Sequence, residues 1–308
     1  MNKAEANLSL LIITFFSAIQ YVFLANVPES VSNFAFLTIT NLIGFGIALA
    51  LFWGELFRIS KKQILQSVIL SAELFGFNLF VLLGTAGVSA TVSSCVLSAY
   101  FVFIPVFSLV FLKKKPDKLS LIGIGIVLAG LILIMNTDIA GIINVHILYL
   151  VVADVFFAMY IMTAGHFTAK SNPSILAMGQ MLFSAIIAFV FWLGEARITN
   201  TAISLPSDAA FWGSVLFISF FIRGLYGVVQ IYAQRYVSAL NTSLIFSSEI
   251  VITMLMSPVL ALLFGTVAED ITPWKVAGAI VMVTGILLAD TSFTTAVKRR
   301  FAHEKNGL

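Results

Sequence analysis

The chain has 308 residues, 60% of them hydrophobic and only 10% charged, with a mean hydropathy of +1.06 and a formal net charge of +3. That balance excludes a soluble globular domain, and the apolar stretches that follow one another from Leu8 to Asp290 leave no room for one. A single cysteine, Cys95, excludes a disulfide framework and a thiolate metal cluster. The scattered His146, His166 and His303, with no H-E-x-x-H spacing, give no support to a cofactor or to an intramembrane enzyme.

A hydrocarbon core about 30 Å thick takes roughly 20 apolar residues per helical crossing. The sequence predicts an all-α membrane protein with ten transmembrane helices, over 8–25, 34–53, 64–84, 88–112, 119–136, 145–165, 174–193, 209–230, 238–264 and 274–290. The first follows only Lys3 and Glu5 and lacks a small-x-small cleavage site, so it reads as a retained helix rather than a signal peptide. With both termini in the cytoplasm, the inside segments hold Lys3, Arg58, Lys61, Lys62, Lys113, Lys114, Lys115, Lys118, Lys170, Arg235, Lys298, Arg299, Arg300 and Lys305. That is all but three of the 17 Lys and Arg residues. Outside lie Arg197 and Lys275, among Glu29, Asp138, Glu195, Asp208, Glu269 and Asp270. The basic residues therefore mark topology rather than a nucleic-acid partner, and predict a multi-pass protein of a plasma membrane, the inner membrane if the source is bacterial.

The two halves repeat each other. "FFSAIQYVF" (15–23) resembles "FFAMYIMTA" (156–164), "FWGE" (52–55) resembles "FWLGE" (191–195), and "GVSATVSS" (87–94) lies against "YVSALNTS" (236–243). Gly123 and Gly130 match Gly278 and Gly285, and Pro105 matches Pro258. Five helices per half force the second copy to enter the membrane in the opposite direction, which predicts two inverted repeats over 1–140 and 141–295, followed by a basic cytoplasmic tail over 296–308. The paired glycines allow close helix packing; contact with a second copy of the chain, as a homodimer, is their alternative use.

A proline late in the fourth helix of each half, a short polar turn ("FLKKKPDKLS", "FGTVAEDITPWK") and a glycine-spaced fifth helix ("IGIGIVLAGLILI", "VAGAIVMVTGILLA") resemble the drug/metabolite transporter superfamily, EamA type, over essentially the whole chain. The resemblance implies a secondary transporter and a central cavity among helices 1, 3, 4, 6, 8 and 9. One departure is plain: many members end the fourth helix of a repeat with Leu-Gly-Glu, whereas here the copies read Leu112-Lys113-Lys114 and Phe264-Gly265-Thr266. A role for that acidic position does not carry over.

An ionisable group at bilayer depth costs about 2.5 kcal/mol or more on insertion scales, so each one calls for a partner or a wet cavity. Glu73, Asp154, Arg223 and Glu249 are the four such groups, on helices 3, 6, 8 and 9. Helical spacing puts Tyr226 and Gln230 on the face of Arg223, and Thr242 and Thr253 on that of Glu249. Helix 1 adds Ser17, Gln20 and Tyr21, and helix 4 adds Ser93 and Tyr100. Helix 3 adds Asn78, turned partly away from Glu73 by its five-residue step. Arg223 is expected to meet Glu73 or Glu249, either as a structural ion pair or within a binding site.

Three acids and one arginine leave a formal −2 at the midplane, which calls for at least one acid to be protonated or to meet a cation. The expected function is export of a small metabolite such as an amino acid or amine by alternating access, coupled to protons. The partners are that small-molecule substrate and the lipid bilayer. The alternatives are a non-transporting receptor or assembly subunit with structural charges, and an exporter of uncharged or lipid-like compounds.

Overall fold

The computed structural model describes residues 1–25, 27–28, 30–88, 93, 96–113, 117–134, 144–199, 208–264 and 271–289. Among them the backbone forms ten helical rods: α1 (Lys3–Ala25), α2 (Asn33–Phe52), α3 (Lys61–Thr85), α4 (a 3-10 turn, Ser98–Val102, running into Phe103–Leu112), α5 (Lys118–Ile134), α6 (Val145–Thr168), α7 (Pro173–Thr199), α8 (Ala209–Phe217, Ile218–Tyr226 and Gly227–Ala233), α9 (Ala239–Ser247 and Glu249–Phe264) and α10 (Pro273–Ala289). Each predicted crossing falls on one rod. Cys95, most of the expected start of α4, Glu29, Lys114, Lys115, Asp138, Glu269, Asp270 and the tail over 296–308 with His303 lie outside the described residues.

The rods start where polar side chains satisfy free amides. Ser60 accepts from the Gln63 N–H at 3.3 Å while the Gln63 side chain accepts from the Ser60 N–H at 3.0 Å, so α3 begins ahead of its apolar run. Ser32, Asn144, Asp208 and Ser238 cap α2, α6, α8 and α9 in the same way. At the other end of α4, Lys113 takes the left-handed conformation, with φ 53°, at the place where the resembled pattern has glycine.

Large apolar side chains cover the outside of the bundle, and polar ones are buried inside it among apolar clusters. Leu51, Val110, Ile122, Ile132, Leu262 and Ile280 are exposed, whereas Asn41, Ser67, Ser71, Glu73, Asp154 and Gln180 are buried. A soluble fold has the reverse arrangement, and a bundle in hydrocarbon requires this one. Six of the rods are long and apolar enough to cross a membrane by length and composition.

The packing repeats with the sequence. α3 lies along α6 and α7, as α8 lies along α1 and α2; α4 meets α6, as α9 meets α1; α2 meets α7 and α5 meets α10. Exchanging the halves maps this set of contacts onto itself, so the protein is built of two inverted five-helix repeats. The α5–α10 seam is the tightest part. A Cβ placed on Gly130 would lie 2.7 Å from the Gly278 carbonyl oxygen, and one on Gly278 would lie 2.7 Å from the Gly130 oxygen; Gly123 and Gly285 face each other likewise. The four glycines found by the repeat are thus covered within the chain.

Candidate functional site

Between the repeats lies a cavity of about 70 Å³, room for a few waters or part of a small solute. Of the residues expected to line it, Gln20, Asn78, Tyr100, Arg223, Tyr226, Gln230 and Glu249 do so. Tyr21 sits on α1, but its side chain lies outside the described residues. Asn41 of α2, Tyr160 of α6 and Gln180 of α7 also line the cavity, and sequence reasoning missed them.

Arg223 is held by the shape of α8. The stretch Ile218–Tyr226 is π-helical, with the Gly227 N–H reaching back to the Ile222 carbonyl, a widened turn often found at functional sites. The guanidinium donates from Nη1 to the Asn78 side-chain oxygen at 2.7 Å. It makes no ion pair among the described residues, so neither Glu73 nor Glu249 is the expected partner; an uncharged amide takes that place. Its Nε is buried without a partner, as are the side-chain nitrogens of Gln180 and Gln230. Three donors around one cavity therefore lack acceptors, and unmet donors of this kind cost free energy until something accepts from them.

α2 passes so close to Arg223 that a Cβ on Gly44 would lie 2.5 Å from the Arg223 Cβ, while nothing approaches within 4 Å of one on Gly46. Gly44→Ala is expected to lower stability by about 1–3 kcal/mol by displacing α8, and Gly46→Ala to leave it unchanged or raise it. Thermal melting of the two variants in detergent checks this.

Glu249 sits at a break. α9 is interrupted between Ser247 and Glu249, where the Ser248 hydroxyl donates to the Ile245 carbonyl at 2.6 Å and the Ser247 hydroxyl to the Ser243 carbonyl at 2.9 Å. Hydroxyls that take helix carbonyls for themselves open a helix. This irregularity falls at Ser248, and Pro258 lies further along the same helix. Glu249 follows the irregularity directly. It accepts from the Ser17 hydroxyl at 2.8 Å, which in turn accepts from Gln20 at 2.9 Å. The 3-10 turn of α4 lies against this break, with the Ser247 hydroxyl donating to the Ser98 carbonyl at 3.2 Å and the Tyr100 hydroxyl to the Ser243 carbonyl at 3.1 Å. The 3-10 turn of one repeat is thus bonded to the irregular turn of the other.

Glu73 and Asp154 do not line the cavity. Glu73 is turned toward α6, where the Thr163 hydroxyl donates to it at 2.9 Å. Asp154 is 1% exposed and its Oδ1 has no partner. Their depth was readable from the sequence, but their facing was not. Behind the cavity wall, the Tyr160 hydroxyl donates to Gln180 Oε1 at 2.9 Å, which leaves the Gln180 amide nitrogen as the free end. Part of the lining is apolar: Phe77 stacks on Phe157 at 4.4 Å, and Tyr100 meets Phe157 edge-on at 4.8 Å. Among the described residues no three His, Cys, Asp or Glu side chains converge on a metal position.

Residues 5–136 and 144–290 each match the EamA-like transporter family. An "uncharacterized transporter" of Archaeoglobus fulgidus is 25% identical over 278 residues, covering 89% of this chain and 92% of its own. One of Bacillus subtilis is 23% identical, covering 75% of this chain and 74% of its own. A crystal structure superposes with a TM-score of 0.68 at 15% identity, over 96% of this chain and 98% of the other. That likeness speaks to the fold alone.

Proposed function

We propose that this chain, which belongs to the EamA-like transporter family, exports a small metabolite of the amino acid or amine type by alternating access, in exchange for protons. The observation that carries the reading is the charge layout of the cavity, with an arginine lacking a carboxylate partner on α8 and a carboxylate on α9. A substrate carboxylate would accept from Arg223 Nε and from the free amide nitrogens of Gln180 and Gln230, and a bidentate guanidinium grip fixes its orientation. A substrate amine would lie toward Glu249, whose carboxylate is oriented by the bond from Ser17. The apolar wall at Phe77 and Phe157 favours an uncharged side chain between them.

Coupling follows from the same residues. When the amine leaves, Glu249 loses the cation that lay against it, and binding a proton offsets the cost of the carboxylate's charge at that depth. A proton entering from outside would thereby reset the carrier for the next outward cycle. Both termini and the basic loops lie in the cytoplasm on this reading. The exposed Arg58, Lys61, Lys62, Lys113, Lys118, Lys170 and Arg235 mark that face.

The test is counterflow of labelled amino acids and amines in proteoliposomes with an imposed pH gradient of either sign. Wild type is expected to respond to the gradient. Glu249→Gln is expected to exchange substrate weakly and to lose the response. Gradient dependence that survives Glu249→Gln sinks the role given to this residue.

A further inference from the structure

A second and larger cavity, of about 690 Å³, opens at the end of the bundle where α2 turns into α3, α6 turns into α7, and α8 ends. It shares no lining residue with the central cavity. Lys62, Lys170 and Arg235 bring three cations to it from three different turns, against one carboxylate, Glu55. That carboxylate is already engaged by the Asn172 side-chain amide at 2.9 Å. Two helices begin at the same wall, α3 after Ser60 and α7 after Asn172, and the dipoles of their N-termini add positive potential there. The cytoplasmic topology accounts for basic residues on this face but not for the convergence of three of them on one concavity.

We propose that this cavity is a second binding site, for a phosphate-bearing anion held by Lys62, Lys170 and Arg235. Three cations and one carboxylate leave a formal +2, which matches a phosphate monoester better than a single carboxylate. The volume falls in the range of small-ligand sites, about 300–1,000 Å³. Lysines supply mobile point charges and arginine a fork, the combination suited to phosphate oxygens. The site sits at the end of the bundle and is open to the side, so the phosphate can belong to a lipid headgroup or to a free metabolite.

The experiment titrates the purified full-length chain, in a neutral detergent, with inorganic phosphate against chloride at matched ionic strength, read by calorimetry. Wild type is expected to bind phosphate saturably. The triple variant Lys62→Gln, Lys170→Gln, Arg235→Gln is expected to bind about tenfold more weakly or not at all. Lys62→Arg with Lys170→Arg retains binding, Glu55→Gln strengthens it, and Lys275→Gln, outside the cavity, changes nothing. Lys62, Lys170 and Arg235 are exposed, so an unchanged melting temperature is required of the triple variant. Competition by phosphatidylglycerol but not phosphatidylcholine assigns the site to a lipid headgroup. Competition by glycerol phosphate alone assigns it to a free metabolite. Phosphate that binds wild type no better than chloride, or that binds the triple variant equally well, overturns the proposal. The readout is binding at this cavity alone, so its failure leaves the transport reading standing.

Discussion

Arg223→Ala is expected to abolish transport while leaving the protein folded. If Arg223 were half of a buried ion pair, removing it would strand a carboxylate and cost about 3–5 kcal/mol of stability. Its partner is instead the Asn78 amide, a neutral group in a cavity that water can enter, so the stability loss is confined to one hydrogen bond, about 1–3 kcal/mol. Substrate binding suffers more, because truncating one member of a desolvated charge pair costs about 2–5 kcal/mol, a thirtyfold loss of affinity or greater. Arg223→Lys keeps the charge without the fork and is expected to recover part of the affinity. Melting temperature and proteoliposome transport, measured on the same preparations, separate the two effects. A variant that transports like wild type removes the cavity from the mechanism, and one that fails to fold returns Arg223 to a structural role.

Gly130→Val is expected to be the most destabilising single change in the two repeat-related helices. A new Cβ on Gly130 would lie 2.7 Å from a backbone oxygen of α10 rather than from a side chain that can swing away. Relief requires α5 and α10 to separate along their length, so the cost is set at about 3 kcal/mol or more, the upper end of overpacking penalties. Gly278→Val strikes the same contact from the other side, so the double variant costs less than the sum of the two. Gly123→Val lies at the distant end of the seam and adds to Gly130→Val nearly independently. Thermal unfolding of the single and paired variants gives both quantities; full additivity for Gly130 and Gly278 would rule out a shared contact.

The seam was legible because glycines at matching positions in two copies are a one-dimensional signal. The ten crossings were legible for the same reason, since apolar run length needs no knowledge of neighbours. The site was legible in part. Arg223, Tyr226 and Gln230 share a face, as their spacing says, and all reach the cavity. Glu73 and Asp154 were placed by height alone, and height says nothing about the direction in which a side chain leaves its helix. Asn78 illustrates the point, because five residues turn it roughly 140° from Glu73 on the same rod, enough to separate cavity from packing face. The break before Glu249 depends on which carbonyls Ser247 and Ser248 take, a choice decided by surrounding contacts. Gln180 was the detectable omission, a lone amide within the apolar run of α7.

The π-helical stretch of α8 makes the length of the chain part of the site. A π turn encloses one more residue than an α turn, so Ile218–Tyr226 contains backbone that an ordinary helix of the same rise would not need. Loss of one residue there would let the helix relax to ordinary winding while its two ends stay in register, so the change would fall on the widened turn itself and on the direction in which Arg223 leaves it. Within these nine residues, drift by substitution and drift by deletion are therefore not equivalent: the first leaves the widened turn in place, the second removes it in a single step.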